Sequence, residues 1–515
     1  MTNETFTQGA KDELWGHPKG LYVCFFTEMW ERFSFYGMKA LLVLYLVKYH
    51  LFADANANLV LGAYAGLAYS LPFLGGMISD RYLGMRKSVI FGGSLLVIGH
   101  LLMAFEGEKA KMVGDSISQD TTALNVFYLA LAFIIVGIGY LKPNISTIVG
   151  KLYSEGDPRR DSGFTIFYMG INLGSFVAAL LCGWLGETYG WKYGFGAAGI
   201  GMLFGLVTFI KGQKFLYGHA EPKNPEALKQ KVLGPISKEL LIYILSLMSL
   251  GLIWFMVQRE HIVHYTTNGL LIISIVAIMF YAFTKVDKTA RDRLIVLMVL
   301  ILSTVVFWAL FEQTASSLTL FADRVIDRNI FGFEVKASQF QSLNALFIII
   351  FAPLFAWTWM KLDKMNMNPN IPLKFTLGLF FVALGFGALL LGAKMADSAG
   401  HVAVIWLVLL YFLHTSGELC LSPVGLSAVT KLSPQNIVGF SMGTWFLATG
   451  LSEILAARIA NIASVDAVEA ATMSVGDFLN KYTELFAFLF EWGLVAAAVM
   501  FILSFFLKKL MHGIK

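Results

Sequence analysis

The chain has 515 residues, of which 57% are hydrophobic and only 14% charged; 39 Lys+Arg against 34 Asp+Glu leave a formal charge of +5. An average soluble domain is about 45–50% apolar and about 25% charged, so a soluble globule is excluded, as are a disordered chain, a collagen and a disulfide scaffold. The charge surplus is too small to suggest nucleic acid, and the apolar runs are long and not alternating, which argues against a barrel.

What remains is an all-α polytopic membrane protein. A span takes about 20 apolar residues, and the 48 glycines suit close helix packing in lipid. The segment through Gly20 is polar and reads as lacking a signal-peptide core, so the first span, from Leu21, is expected to be an uncleaved anchor. Further runs start near Asn58, Ser88, Ala123, Gly163 and Trp191. A polar stretch, Lys211 to Lys238, carries Pro222, Pro225 and Pro235. Two runs with little internal polarity follow, Glu239–Val257 and Asn268–Phe283, and six more start near Leu294, Gln339, Leu373, Val402, Ile437 and Tyr482. The pattern is 6 + 2 + 6, about fourteen helices. The expected organisation is an N-terminal six-helix bundle over 1–215, a linker with two inserted helices over 216–290, and a C-terminal six-helix bundle over 291–515. Cys24, Cys182 and Cys420 all lie in apolar runs and are odd in number, so no disulfide framework is expected.

Basic residues set the orientation. With the N-terminus cytoplasmic, inner segments collect Lys11, Lys19, Arg81, Arg86, Lys87, the Lys211–Lys238 group, the Lys285–Arg293 group and Lys508, Lys509 and Lys515, among others. That is roughly 25 basic residues inside against roughly 11 outside. Both termini are therefore expected in the cytoplasm, with the chain in a cytoplasmic (inner) membrane.

Ionisable groups inside spans are costly and point to function. In the first span Glu28, Glu31, Arg32, Phe35, Tyr36 and Lys39 fall in one stripe roughly 140° wide at about 100° per residue. Lipid cannot solvate such a face, so it lines a wet cavity or a buried network. The fourth span holds Lys142 next to Pro143, where a bend can free a backbone carbonyl. Asn172 lies in the fifth span. The run from Leu294 places Trp308, Glu312, Ser316 and Thr319 at helical spacing, and the run from Val402 places His414, Glu418 and Ser422 at i, i+4 and i+8. The N-terminal half thus offers cations (Arg32, Lys39, Lys142) and the C-terminal half carboxylates (Glu312, Glu418). A ligand with one negative and one positive end, such as a zwitterionic peptide, suits that division. Glu28 and Glu31 beside Arg32 feel burial and a neighbouring cation acting on their protonation in opposite directions. That competition is what proton coupling needs.

These residues resemble the proton-coupled oligopeptide transporters of the major facilitator superfamily. The likeness covers nearly the whole chain. It rests on Glu28-x-x-Glu31-Arg32-Phe33-x-Phe35-Tyr36-Gly37, on Phe164-x-x-Phe167-Tyr168-x-x-Ile171-Asn172-x-Gly174-Ser175, and on Gly76-x-x-x-Asp80-Arg81-x-x-Gly84-x-Arg86-Lys87. Lys142-Pro143-Asn144, Phe307-Trp308 with Glu312-Gln313, and Gly417-Glu418 with Ser422-Pro423 add to it. The extra helix pair is typical of bacterial members. The resemblance implies the superfamily fold and proton-driven import of di- and tripeptides, or peptide-like compounds, by alternating access. It implies proton coupling by Glu28, Glu31 and Arg32, and contact of Lys39 and Lys142 with the peptide carboxylate. Asn172, Asn344 and Glu418 would hold the amino terminus. Tyr36, Tyr69, Trp308 and Trp445 would line side-chain pockets, with Glu312 and Ser422 in the same region.

The sequence departs from the family at Phe35, where many members have tyrosine, and at Lys39, where some bacterial members have arginine and its bidentate fork. Gly62 stands where animal members carry a histidine, so the coupling burden falls on carboxylates; His414 reads as a packed polar contact. Asp323, with Arg324 at the end of its span, is a candidate outer gate with a first-half basic group. His261 and His264 are read as a coincidence in the outer loop between the inserted helices. The sequon Asn144-Ile145-Ser146 lies inside a span, and Gly137-x-Gly139 lacks a following P-loop Lys-Ser/Thr pair. No catalytic set, metal site, cofactor other than protons as coupling ion, or obligate protein partner is expected. The alternative function is a carrier of another small anion such as nitrate, or of peptide-like compounds only; an intramembrane enzyme finds no nucleophile–base pair to support it.

Overall fold

A computed structural model describes residues 13–514 apart from 115 and 155. Lys11 and Lys515, both counted for orientation, lie outside the described residues. Fourteen long helices dominate: α1 (Lys19–Lys48), α2 (Asp54–Ile78), α3 (Met85–Met103), α4 (Thr121–Lys151), α5 (Arg160–Tyr189), α6 (Trp191–Gly212), α7 (Lys238–Val257), α8 (Glu260–Thr284), α9 (Lys288–Phe311), α10 (Ser342–Lys364), α11 (Ile371–Lys394), α12 (Val404–Leu432), α13 (Val438–Ala460) and α14 (Val475–Leu510). Thirteen of the helical segments are long and apolar enough to cross a membrane by length and composition. The helix that falls short is α1, because Glu28, Glu31, Arg32 and Lys39 interrupt its apolar run. Strand pairing among the described residues is confined to two-stranded pieces in connecting segments, such as antiparallel Lys111–Val113 with Ser116–Ser118 and parallel Ile326–Asp327 with Val402–Ala403.

Helix starts follow local chemistry. The Asp120 carboxylate accepts from the Thr122 and Ala123 backbone N–H groups at the head of α4, and the Ser237 hydroxyl accepts from Leu240 N–H at the head of α7. Ser474 and Asp477 form a reciprocal capping box at the head of α14. Each satisfies amide donors that a helix start leaves unpaired.

The described residues gather into two compact units, one from 13–41 and 67–259, the other from 42–66 and 260–514. In the first, α3 packs on α4 and α6, α5 on α6, and α7 on α4. A Cβ on Gly75 of α2 would lie 2.0 Å from the Gly139 carbonyl oxygen of α4, so these backbones touch in a way that admits only glycine. In the second, α11 packs on α12 and α14, α9 and α8 on α13, and α10 on α12.

The inserted helices fall in different units. Trp254 Nε1 of α7 donates to the Asn125 carbonyl of α4 at 3.3 Å. Arg458 at the end of α13 forks onto Glu260 of α8 at 2.9 and 3.1 Å. Two expectations are corrected here. His261 and His264 are not in a loop, because the helix α8 already begins at Glu260, ahead of its apolar run; they occupy its first turn and a half. Trp308, Glu312, Ser316 and Thr319 do not share one continuous helix face. The helix tightens to a 3₁₀ turn over Glu312–Ala315, breaks at Ser316 (φ −119°, ψ −99°) and resumes as Ser317–Arg324. Side chains fill the hydrogen bonds the break exposes: Gln313 Nε2 donates to the Ala309 and Ala456 carbonyls, and Thr319 Oγ1 donates to the Thr314 carbonyl.

Candidate functional site

In the first unit the stripe on α1 forms as its spacing requires. Glu28, Glu31, Arg32 and Lys39 are all at most 4% exposed. Arg32 Nε lies 3.2 Å from Glu28 Oε1 and donates to Glu31 Oε2. One guanidinium therefore serves two carboxylates. Glu28 Oε2, Glu31 Oε1 and Arg32 Nη2 have no hydrogen-bond partner in the protein among the described residues. The guanidinium carbon also sits 5.2 Å from the Phe35 ring centroid. Tyr36 is half-buried on the same helix.

Lys142 is carried by α4, next to Pro143. Its Nζ stands 4.0 Å from the centre of the Tyr69 ring of α2. The close approach at Gly75 and Gly139 is what brings these two helices within reach. Asn144 Nδ2 turns back on its own helix and donates to the Tyr140 carbonyl. Asn172 of α5 is 5% exposed, and its Nδ2 donates to the Tyr168 carbonyl, which leaves the amide oxygen to other partners.

In the second unit Asn344 of α10 donates from Nδ2 to Glu418 Oε2 of α12 at 2.8 Å and lies 3.1 Å from Thr415 Oγ1. The amide thus orients the carboxylate, while Thr415 is tied to the Tyr411 carbonyl. Trp308 and Glu312, one turn apart at the end of α9, are half-buried, as is Ser422. Trp445 is 4% exposed, with its ring over Gly425 and edge-on to Phe375, 6.4 Å away between centroids. His414 packs between the rings of Phe311 and Phe386 at 5.7 and 5.0 Å, in space that Gly385 leaves open.

Asp323 pairs with Lys48 at the end of α1, Nζ to Oδ1 2.6 Å. Beside it lies an ion pair that the sequence pattern does not announce. Arg324 forks onto Asp54, the first residue of α2, at 2.6 and 2.8 Å, and reaches Tyr482 Oη at 3.4 Å. Asp54 Oδ2 also accepts from the Val465 backbone N–H. Glu453, in α13, is a second omission: a carboxylate only 3% exposed inside a span. The rule that found Glu418 would have found Glu453; Asp54 was hidden because a helix-end carboxylate looks like a cap. No group of three or more His, Cys, Asp or Glu suited to a metal occurs among the described residues.

The profile of the POT family matches residues 86–480. The chain belongs to the POT family. Among curated relatives of this POT protein, a peptide transporter of Yersinia enterocolitica is 36% identical over 100% of this chain and 99% of that one. A di-/tripeptide transporter of Lactococcus lactis is 34% identical over 87% and 90%, and an uncharacterized transporter of Bacillus subtilis is 39% identical over 90% and 92%. A crystal structure of a POT peptide transporter holding alafosfalin superposes with a TM-score of 0.80 at 34% identity, covering 98% of this chain and 99% of the other. The fold is that of the major facilitator superfamily, and the protein is a multi-pass membrane member of a transporter family.

Proposed function

We propose that this POT protein is a proton-coupled symporter that carries di- and tripeptides, and peptide-like compounds, into the cytoplasm. The observation that carries this reading is the buried Glu28–Arg32–Glu31 group, two carboxylates on one guanidinium, in a relative of named peptide transporters. Two negative charges against one positive leave the group one charge short of neutral. In a low-dielectric interior that imbalance is costly. A proton, or a neighbouring cation, settles it. Protonation of one carboxylate frees part of the guanidinium, and deprotonation takes it back.

The substrate's handles are its termini. Lys39 and Lys142 receive the carboxylate, and Asn172, Asn344 and Glu418 receive the ammonium group. Tyr36, Tyr69, Trp308, Glu312, Ser422 and Trp445 bound the space for side chains. Fixed termini with aromatic walls accept varied side chains. The halves that alternate access are 1–215 and 291–515, with 216–290 inserted, and Asp323 with Lys48 acts as an outer gate. The chain resides in the inner membrane with both termini cytoplasmic, uses no cofactor beyond the coupling proton, catalyses no covalent reaction and needs no obligate protein partner.

Labelled dipeptide uptake into proteoliposomes under an imposed pH gradient tests the reading. Accumulation that needs the gradient and is blocked by unlabelled di- and tripeptides is expected. Competition by nitrate and none by dipeptides would replace it with the anion-carrier alternative, which Glu418 on the substrate side already disfavours.

A further inference from the structure

A second cationic place lies in the first unit, away from the α1 stripe. The short π-helical turn Ser79–Leu83 closes α2, and Gly84 (φ +76°) turns the chain into α3. A Cβ at Gly84 would meet the Pro222 nitrogen at 2.4 Å, so the connecting segment before α7 is laid directly on this turn. Between them is a cavity of about 350 Å³ lined by Arg81, Tyr82, Asn224, Ala227, Leu228 and Lys238. Arg81 lies three residues past the end of α2, and Lys238 is the first residue of α7. The cavity therefore sits where two helical segments that are long and apolar enough to cross a membrane have their ends.

Its charge is not balanced. Neighbouring cations are committed: Arg86 to Glu221 and Gln213, Lys87 to both oxygens of Glu239 at 2.6 Å. Glu226 is taken by Lys229. Asp80 is exposed and is not a lining residue. Arg81 and Lys238 form no ion pair among the described residues. They meet instead at one ring, Tyr82, with Lys238 Nζ 4.4 Å and the Arg81 guanidinium carbon 5.6 Å from its centroid. Asn224 Oδ1 accepts from Ala227 N–H, which leaves its amide group as a donor. Two cations, an amide donor and no lining carboxylate describe a receptor for a multivalent oxyanion. Ala227 and Leu228 give it an apolar wall.

We propose that this cavity binds a phosphate group, delivered at the membrane rim by the headgroup of an anionic phospholipid. Cations next to a bilayer surface attract such headgroups. The site is independent of the peptide machinery, since none of its lining residues belongs to that machinery.

The test is native mass spectrometry of the purified full-length protein titrated with phosphatidylglycerol or phosphatidylcholine of the same acyl chains, alongside thermal shift with inorganic phosphate. The unaltered protein is expected to prefer phosphatidylglycerol. Arg81→Gln with Lys238→Gln should weaken that lipid about tenfold and leave phosphatidylcholine unchanged. Arg81→Lys with Lys238→Arg, which keeps both charges, should retain the preference and guards against simple misfolding. A phosphate-dependent thermal shift that the glutamine pair abolishes, without a lipid preference, supports the phosphate site with a soluble ligand as its source. Equal binding of both lipids by all three proteins, with no phosphate shift, overturns the proposal.

Discussion

Glu418 and Asp54 show how differently one kind of residue is used. Glu418 accepts from Asn344, a neutral donor, so its carboxylate keeps an oxygen for a ligand. Glu418→Gln should cost substrates with a free amino terminus at least tenfold in apparent affinity, as loss of a charge-assisted bond does. N-blocked analogues should change little. Competition uptake with matched free and N-blocked dipeptides measures it, and equal losses would reject the assignment. Asp54, by contrast, is spent on Arg324, with 2% and 11% side-chain exposure. Removing one partner of such a buried pair costs about 3–5 kcal/mol. The Lys48–Asp323 pair has a 42% exposed lysine and is worth under about 1 kcal/mol. Asp54→Asn should therefore lower the thermal midpoint clearly more than Lys48→Ala; the reverse order would mean that the Arg324 fork is not formed. The Glu28, Glu31 and Arg32 cluster was legible because one helix carries all three. The Asn344–Glu418 bond was not, since 74 positions separate the two residues; only family likeness linked them.

Helices were read well where hydropathy decides and poorly where packing does. The runs of the inserted pair were found, but α7 and α8 are largely lipid-facing, and an apolar surface carries no address for the neighbour it packs on. The break at Ser316 has no proline or glycine to announce it. It is held by Gln313 bonding to Ala456 of α13, a tertiary contact that propensity does not contain. The Gly75–Gly139 contact gives a sharp test at this level. Gly75→Ala places a methyl 2.0 Å from a carbonyl oxygen and should destabilise by at least the about 1–3 kcal/mol typical of overpacking. It should also move Lys142 from Tyr69. Gly251→Ala on α7, where a Cβ meets nothing within 4 Å, should be neutral or slightly stabilising. Thermal unfolding of both variants, followed by tryptophan fluorescence, checks the pair; equal midpoints would contradict the close approach.

For the molecule as a whole, composition excluded everything but a helical membrane protein, and the matched family profile and superposed structures support the same architecture. The helix that fails the apolarity requirement is the one with the densest buried charge, so the cost of placing α1 in a membrane marks where function is expected. The central claim is that the Glu28–Arg32–Glu31 group links proton movement to peptide movement. Comparing Glu31→Gln with the unaltered protein in proteoliposomes tests this most directly, with gradient-driven accumulation and gradient-free counterflow of the same labelled dipeptide measured side by side. The account predicts that the variant loses accumulation above equilibrium yet keeps exchange. Undiminished gradient-driven accumulation by the variant would contradict it.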